Sequence, residues 1–147
     1  ETVNIKKLIE DIIVAFNHDK LYFTDHIKAS DDIYYHCEIK RQAVWRALSN
    51  IIDNGIKFSR SKVLVSLLYD SSGLNFVISI EDDGIGITQP KKALSIFWHE
   101  NNEATNPIGY GLGLSIAKTI ITAHGGEIKI EKSSLLRGAK IVITLPK

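Results

Sequence analysis

The sequence predicts an α/β two-layer sandwich, with three helices packed on one face of a mixed four- to five-stranded sheet. Three observations point there. Apolar residues recur at helical spacing in three separate stretches, alternating apolar runs come in two pairs joined by turn signals, and 147 residues with 44% hydrophobic content suit one domain with one core. In order, Val3, Leu8, Ile9, Ile12, Ile13 and Phe16 keep helical spacing behind Asn4, a capping residue, so residues 4 to 17 read as a first helix. The polar turn KASDD leads to IYYHC, read as a short strand, and then to a helix from Glu38 to Phe58 with Val44, Leu48, Ile51 and Ile52 inward. KVLVSLLYD and LNFVISIE flank SSG as one hairpin, within which Phe76, Ile78 and Ile80 alternate like a buried strand face; EIKIEK and AKIVITL flank SSLLRG as another. Between the hairpins, the polar stretch HENNEATNP at 99 to 107 feeds a glycine-rich turn and a third helix that stops at Gly125 and Gly126.

Composition excludes several classes. Eighteen basic against seventeen acidic residues leave a formal charge of +1, so no basic footprint invites nucleic acid or an anionic membrane, and any phosphate is bound locally. The single cysteine, Cys37, allows no internal disulfide or thiolate cluster and reads as a core thiol in a reducing compartment. No apolar run approaches the roughly 20 residues of a membrane span, and no signal peptide is visible, so a soluble chain is expected. The opening ETVNIKKLIEDII, without an initiator methionine, is expected to belong to a longer protein.

The chemistry concentrates in three places. Asn50, Asn54 and Lys57 lie at i, i+4 and i+7 of the second helix, on one stripe about 60° wide at the edge of its apolar face. Asparagines and Gly55 cost that helix on the order of 0.5 to 1 kcal/mol each, which points to another use, although caps or solvated side chains give the same pattern. EDDGIGI ends a strand in carboxylates followed by glycines. Alone it also makes a simple turn, but Asp82 at a pocket mouth can accept a hydrogen bond from an exocyclic amine while the glycines let backbone approach a flat ligand. In GYGLGL, Gly109, Gly111 and Gly113 precede a helix, where free amides and the helix dipole favour phosphate. GLSIAKT lacks the glycine directly before lysine that a P-loop needs, and GYGLG has the wrong third spacing for a dinucleotide fingerprint.

Together RALSNIIDNGIKFS, EDDGIGI, SIFWHE and GYGLGLSIAK, in this order, resemble the N, first-glycine, F and second-glycine boxes of sensor histidine kinases. The resemblance is to their catalytic, ATP-binding domain, a branch of the GHKL ATPase superfamily, and it spans residues 1–147 as a single domain without the dimerisation and phosphoacceptor domain. It implies a GHKL-type ATP-binding fold with ATP and Mg²⁺ as cofactors. It further implies that Asn54 ligates Mg²⁺, Asn50 and Lys57 contact phosphate, Phe58 packs beside adenine and Asp82 takes the adenine amino group. Gly84, Gly86 and Ile87 would line that slot, and Gly109, Tyr110, Gly111, Leu112, Gly113 and Leu114 would form the lid hinge and the start of the third helix.

The same resemblance implies partners: a histidine-bearing dimerisation domain of the parent kinase and the receiver domain of a response regulator. The isolated domain is expected to be a monomer and the parent a homodimer, in the cytoplasm, with or without an inner-membrane anchor. No nucleic acid and no direct membrane contact are expected. The chain departs from the family in Ile85, where proline is common, and in a lid without arginine or lysine from Ser95 to Tyr110, where only His99 and amides stand; Lys91 and Lys92 precede the F box. Residues 99 to 108 are expected to order only with nucleotide. His18, His26, His36, His99 and His124 all lack a phosphoacceptor context. Three readings follow: the kinase half of a sensor histidine kinase, a GHKL ATPase or serine kinase of another kind, or a nucleotide-binding module without transfer. The second requires a glutamate where Asn50 stands, and an amide has no basicity to offer.

Overall fold

A computed structural model of the chain describes residues 1–87 and 110–147, with backbone alone at 110–112. Three helices lie against a mixed five-stranded sheet, with a two-stranded sheet beside it. Helix α1 (Ile5–Phe16) starts where Asn4 Oδ1 accepts from the Lys7 N–H at 3.0 Å, and ends at Asn17 in the left-handed region, φ 45°. Its buried face is Ile5, Leu8, Ile9 and Ile12, the i, i+3, i+4, i+7 set that the spacing predicts. Helix α2 (Arg41–Phe58) buries Val44, Leu48, Ile51 and Ile52 as expected, but begins later than Glu38. Its entrance has no side-chain cap of its own; His124, just beyond helix α3 (Tyr110–Ala123), supplies one, its Nε2 accepting from the Lys40 N–H at 3.1 Å while Nδ1 lies 2.8 Å from the Ile120 carbonyl. Both ring nitrogens are thus engaged in the fold.

The main sheet runs β2 (Leu21–Asp25), β4 (Val63–Tyr69), β5 (Asn75–Asp82), β7 (Ala139–Pro146), β6 (Glu127–Lys132). Both predicted hairpins form, β4 with β5 and β6 with β7, and all contacts in the sheet are antiparallel except β2 with β4. Register aligns Phe23, Val65, Ile80, Ile141 and Ile130 in one apolar row across all five strands under the helices.

Two expectations need correction: α3 starts at Tyr110, so Gly111 and Gly113 lie within its first turns rather than before it, and IYYHC is not one short strand. IYYHC does not supply the sheet's fifth strand: Asp32–Tyr35 form a 3-10 turn, and β3 (His36–Glu38) pairs with β1 (Thr2–Asn4) in the small sheet. Asp31 Oδ1 accepts from the Ile33 N–H at 3.1 Å and starts the turn, while the buried Tyr35 hydroxyl donates to Asp25 Oδ2 at 2.5 Å and accepts from the Ala29 N–H at 2.9 Å. Satisfying that phenol inside the protein favours the turn over an extended strand. The fifth strand is LYFTD. Cys37 is a buried free thiol, as expected, and its Sγ donates to the Pro146 carbonyl at 3.3 Å. Among the described residues no helix is long and apolar enough to cross a membrane.

Candidate functional site

Asp82, the last residue of β5, and Asp83, the first beyond it, face opposite tasks because successive residues of extended chain face opposite ways. Asp82 continues the inward set of Phe76, Ile78 and Ile80 and is 4% exposed at the mouth of the core. Its Oδ1 accepts from the Gly84 N–H at 2.9 Å and the Ala139 N–H at 3.2 Å; among the described residues nothing donates to Oδ2. Burial pushes the carboxyl above its usual range, the two N–H groups oppose that, and neighbouring Asp83 adds to the rise. Asp83 instead grips the α2–β4 loop, accepting from the backbone N–H groups of Arg60, Ser61 and Lys62 and, at 2.6 Å, from the Ser61 hydroxyl. Partial burial works against its ionisation, but the Ser61 hydroxyl and those N–H groups outweigh burial and hold the carboxyl far below the usual range.

Backbone closes tightly around Asp82. A Cβ on Gly84 would stand 2.1 Å from the Phe58 carbonyl oxygen, so glycine is needed for close approach to the end of α2. A Cβ on Gly138 would stand 2.3 Å from both the carbonyl oxygen and Oδ1 of Asp82, and the Gly138 N–H donates to that carbonyl at 3.0 Å. Gly86, at φ 85°, turns the chain at a cleft of about 340 Å³ lined by Ile87, Ile130, Arg137, Gly138 and the largely exposed Ile85.

The α2 stripe reaches the same region. Asn54 is 3% exposed and, among the described residues, its Nδ2 has no hydrogen-bond partner, an expensive state for a buried amide. Asn50 is half-buried, and Gly113 brings α3 against both: a Cβ there would lie 3.5 Å from Asn54 Nδ2 and 3.8 Å from Asn50 Cβ. Lys57 is exposed and its Nζ pairs with Asp53 Oδ2 at 2.8 Å. Phe58 is half-buried against the core, and Leu114 is fully buried in it. Gly109, SIFWHE, Lys91, Lys92, His99 and the whole 99 to 108 stretch lie outside the described residues, as do the side chains of Tyr110, Gly111 and Leu112.

The donor set suits magnesium bound with a polyphosphate. Among the described residues no three His, Cys, Asp or Glu side chains gather to hold a metal by themselves, so amide oxygen is what the protein offers. Mg²⁺ accepts such a hard ligand and takes the remainder of its shell from phosphate and water. Beside the side-chain-free Gly113 the Asn54 amide fits both parts of such a ligand, its Oδ1 as a hard donor to the metal and its unpartnered Nδ2 as a hydrogen-bond donor to a phosphate oxygen.

Sequence reading passed over five contributors: Asp83, Gly138, Ala139 and the buried pair Ser133 and Glu81, whose Oγ and Oε1 are 2.9 Å apart. The one local signal was RG at the end of a hairpin turn; the rest act across more than 20 residues of sequence.

The family model described as histidine kinase-, DNA gyrase B-, and HSP90-like ATPase matches residues 39–147. Sensor histidine kinase WalK of Bacillus subtilis (strain 168) is 32% identical over 151 residues, covering 99% of this chain and 24% of WalK. Sensor histidine kinase CpxA of Escherichia coli (strain K12) is 37% identical over 108 residues, covering 71% of this chain and 23% of CpxA. The chain therefore spans about a quarter of the length of these relatives. Among solved structures, the catalytic domain of histidine kinase ThkA, in a nucleotide-free form, superposes with a TM-score of 0.79 at 24% identity, covering 100% of this chain and 95% of that one. Mycobacterial sensor histidine kinase MprB gives a TM-score of 0.74 at 22% identity, with 99% and 96% covered. At these identities the structural likeness speaks for the fold.

Proposed function

Because the chain belongs to the family of histidine kinase-, DNA gyrase B- and HSP90-like ATPases, we propose that it is the catalytic, ATP-binding domain of a sensor histidine kinase. In this reading it passes the γ-phosphoryl group of Mg-ATP to a histidine on a separate dimerisation domain, for relay to the receiver domain of a response regulator. The observation that carries the reading is the buried carboxylate of Asp82, with Oδ1 taken by two backbone N–H groups and Oδ2 left for a ligand. An adenine amino group donates to such an acceptor, whereas guanine presents a carbonyl oxygen there, and a buried mismatch of acceptors costs about 1 to 3 kcal/mol.

Phe58, Gly84, Gly86 and Ile87 complete the adenine slot. Asn50 and Lys57 meet the phosphates, Lys57 exchanging its exposed partner Asp53 for them. Asn54 offers its amide oxygen to Mg²⁺, which when bound neutralises and orients phosphate oxygens. Gly109 and the first residues of α3, Tyr110, Gly111, Leu112, Gly113 and Leu114, form the wall on the phosphate side. Since a loose phosphoryl-transfer transition state asks mainly for positioning and charge neutralisation, these residues suffice once an acceptor imidazole is brought in line. Asn50 stands where a hydrolytic relative needs a base, which favours transfer over hydrolysis. The isolated domain is a monomer in this reading and its parent a cytoplasmic-facing homodimer.

Calorimetric titration with Mg-ATP tests the reading. The chain binds it, and Asp82→Asn weakens binding at least about ten-fold. Unchanged affinity in that variant removes Asp82 from the site. With radiolabelled ATP the domain alone stays unlabelled and labels a supplied cognate dimerisation domain as an acid-labile phosphoramidate; failure on a demonstrably cognate partner favours nucleotide binding without transfer.

A further inference from the structure

Glu81 and Asp82, neighbours on β5, are both tied to the turn between β6 and β7, each from its own face of the sheet. Ser133 opens that turn and is completely buried, and Glu81 is 7% exposed. The Leu136 N–H donates to Ser133 Oγ at 2.9 Å, and a hydroxyl has a single proton, which Ser133 gives to Glu81 Oε1 at 2.9 Å. The Ser133 N–H reaches the Gly138 carbonyl and the Arg137 N–H the Ser133 carbonyl, both at 2.8 Å. From this closed turn the next two N–H groups go to Asp82: Gly138 to its carbonyl and Ala139 to Oδ1.

We propose that the Ser133–Glu81 hydrogen bond is a positioning device for base recognition, holding the turn so that the Ala139 N–H stays on Asp82 Oδ1 and Oδ2 is the one acceptor presented to the base. The inference rests on the adenine-slot reading of Asp82. Its physical core is a difference in margin. The Ala139 N–H bond, at 3.2 Å, sits at the long limit of a good hydrogen bond, while the Gly84 bond at 2.9 Å lies mid-range. A displacement of a few tenths of an ångström therefore breaks the first and spares the second. With one N–H left, the carboxylate gains rotational freedom and loses a donor that favours its charged form, so it protonates more readily. A protonated carboxyl donates, and a donor at Oδ2 accepts the wrong base, one with a carbonyl oxygen in place of the amine. A buried serine–carboxylate pair is otherwise a costly way to fill space that alanine and a thioether would fill. The ionisable side chains nearest Asp82 in register or along the chain are Glu81 and Lys140 in the sheet, Asp83 just beyond β5, Asp53 and Lys57 towards the end of α2, and Arg137 in the turn.

The test compares Mg-ATP with Mg-inosine triphosphate, whose base has a carbonyl in place of the amine and an N1–H in place of the bare N1 acceptor, by calorimetry from pH 5 to 8 on the full chain. Ser133→Ala is expected to lower the ATP-to-ITP preference about five- to ten-fold at neutral pH and to move the loss of preference on acidification to higher pH. Glu81→Met attacks the same bond from β5 and is expected to do the same, whereas Glu81→Gln retains an acceptor for Ser133 and retains the preference. A merely structural role would lower the melting temperature without changing the ratio. An unchanged ratio and pH profile in folded Ser133→Ala or Glu81→Met, with Asp82→Asn abolishing the preference, overturns the positioning role and leaves the slot intact. A wild-type chain that binds both nucleotides equally overturns the slot itself and the inference with it.

Discussion

Replacing Gly84 by alanine tests the geometry around Asp82 most directly. Gly84 is not among the positive-φ residues, so its backbone is open to alanine and the penalty is purely steric. The new methyl would lie 2.1 Å from the Phe58 carbonyl oxygen, 3.0 Å from its carbon and 3.2 Å from Asp82 Oδ1. Relief requires backbone to move by about 1 Å or more, since comfortable contact starts near 3.5 Å. Neither side yields easily: Phe58 is the last residue of α2, and Gly84 donates to a buried carboxylate at 2.9 Å. Overpacking of this kind costs about 1 to 3 kcal/mol, and stretching a charge-assisted hydrogen bond adds to it, giving a loss of about 2 to 4 kcal/mol in urea unfolding. Mg-ATP affinity falls at least ten-fold or so, because the displaced N–H sets the direction of Asp82. Gly73→Ala is the control: φ is 73° with nothing within 4 Å, so it carries left-handed strain of about 1 to 2 kcal/mol without changing ATP affinity. If Gly84→Ala unfolds within 0.5 kcal/mol or so of wild type and binds ATP normally, the reasoning from close approach is wrong.

Asn54→Ala removes an amide whose Nδ2 is buried without a partner among the described residues, so stability is expected to hold or rise while phosphoryl transfer to a supplied histidine domain is lost; a marked fall in melting temperature would contradict this. Asp83→Asn loosens the α2–β4 loop by about 1 kcal/mol in urea unfolding at pH 7, the bonds being solvent-exposed. Because the folded carboxyl titrates below its unfolded value of 3.8, that contribution is present above this pH and disappears on acidification below it, so wild type and variant should converge there. Burial first, and Glu38 second, push the Cys37 thiol up to about 11 from 9.0, so the folded protein should resist alkylation at pH 8 and react when unfolded. By the same linkage the protonated thiol favours the folded state less as pH rises through 9.0, and a Cys37→Ala variant should show a flatter alkaline limb in its stability profile.

What was legible in the sequence followed local chemistry. Both hairpins announce themselves through turn residues beside alternating runs, and the helices through spacing and Asn4. LYFTD was overlooked because its partner is β4, parallel and about 40 residues away, so no hairpin turn marks it and only Leu21 and Phe23 alternate. IYYHC carries strand-forming residues, but Tyr35 finds partners for its hydroxyl only in a turn. The site divides the same way. Asp82, Gly84 and Gly86 declare themselves because strand end, carboxylate and glycines are adjacent in sequence. Gly138, Ala139 and Ser133 do not, since their meaning is a distance to β5 that exists only after the sheet closes. Lys57 was expected on the stripe of Asn50 and Asn54; it is exposed, and its Nζ pairs with Asp53 one turn away, a salt bridge that spacing alone also allows.

The strand order carries a consequence for how the protein comes into being. β7 is the last strand in chain order, yet it lies inside the sheet between β5 and β6. During synthesis β5 therefore waits with an open edge, and Asp82 is held by Gly84 alone until Ala139 emerges. A chain cut short before β7 keeps α1, α2 and the first hairpin but leaves a sticky strand edge and an unfinished pocket, the state that chaperones bind and proteases clear. Nucleotide added to a translating ribosome should protect this domain only late, because β7, the last of these strands to appear, is the one that closes the proposed binding site.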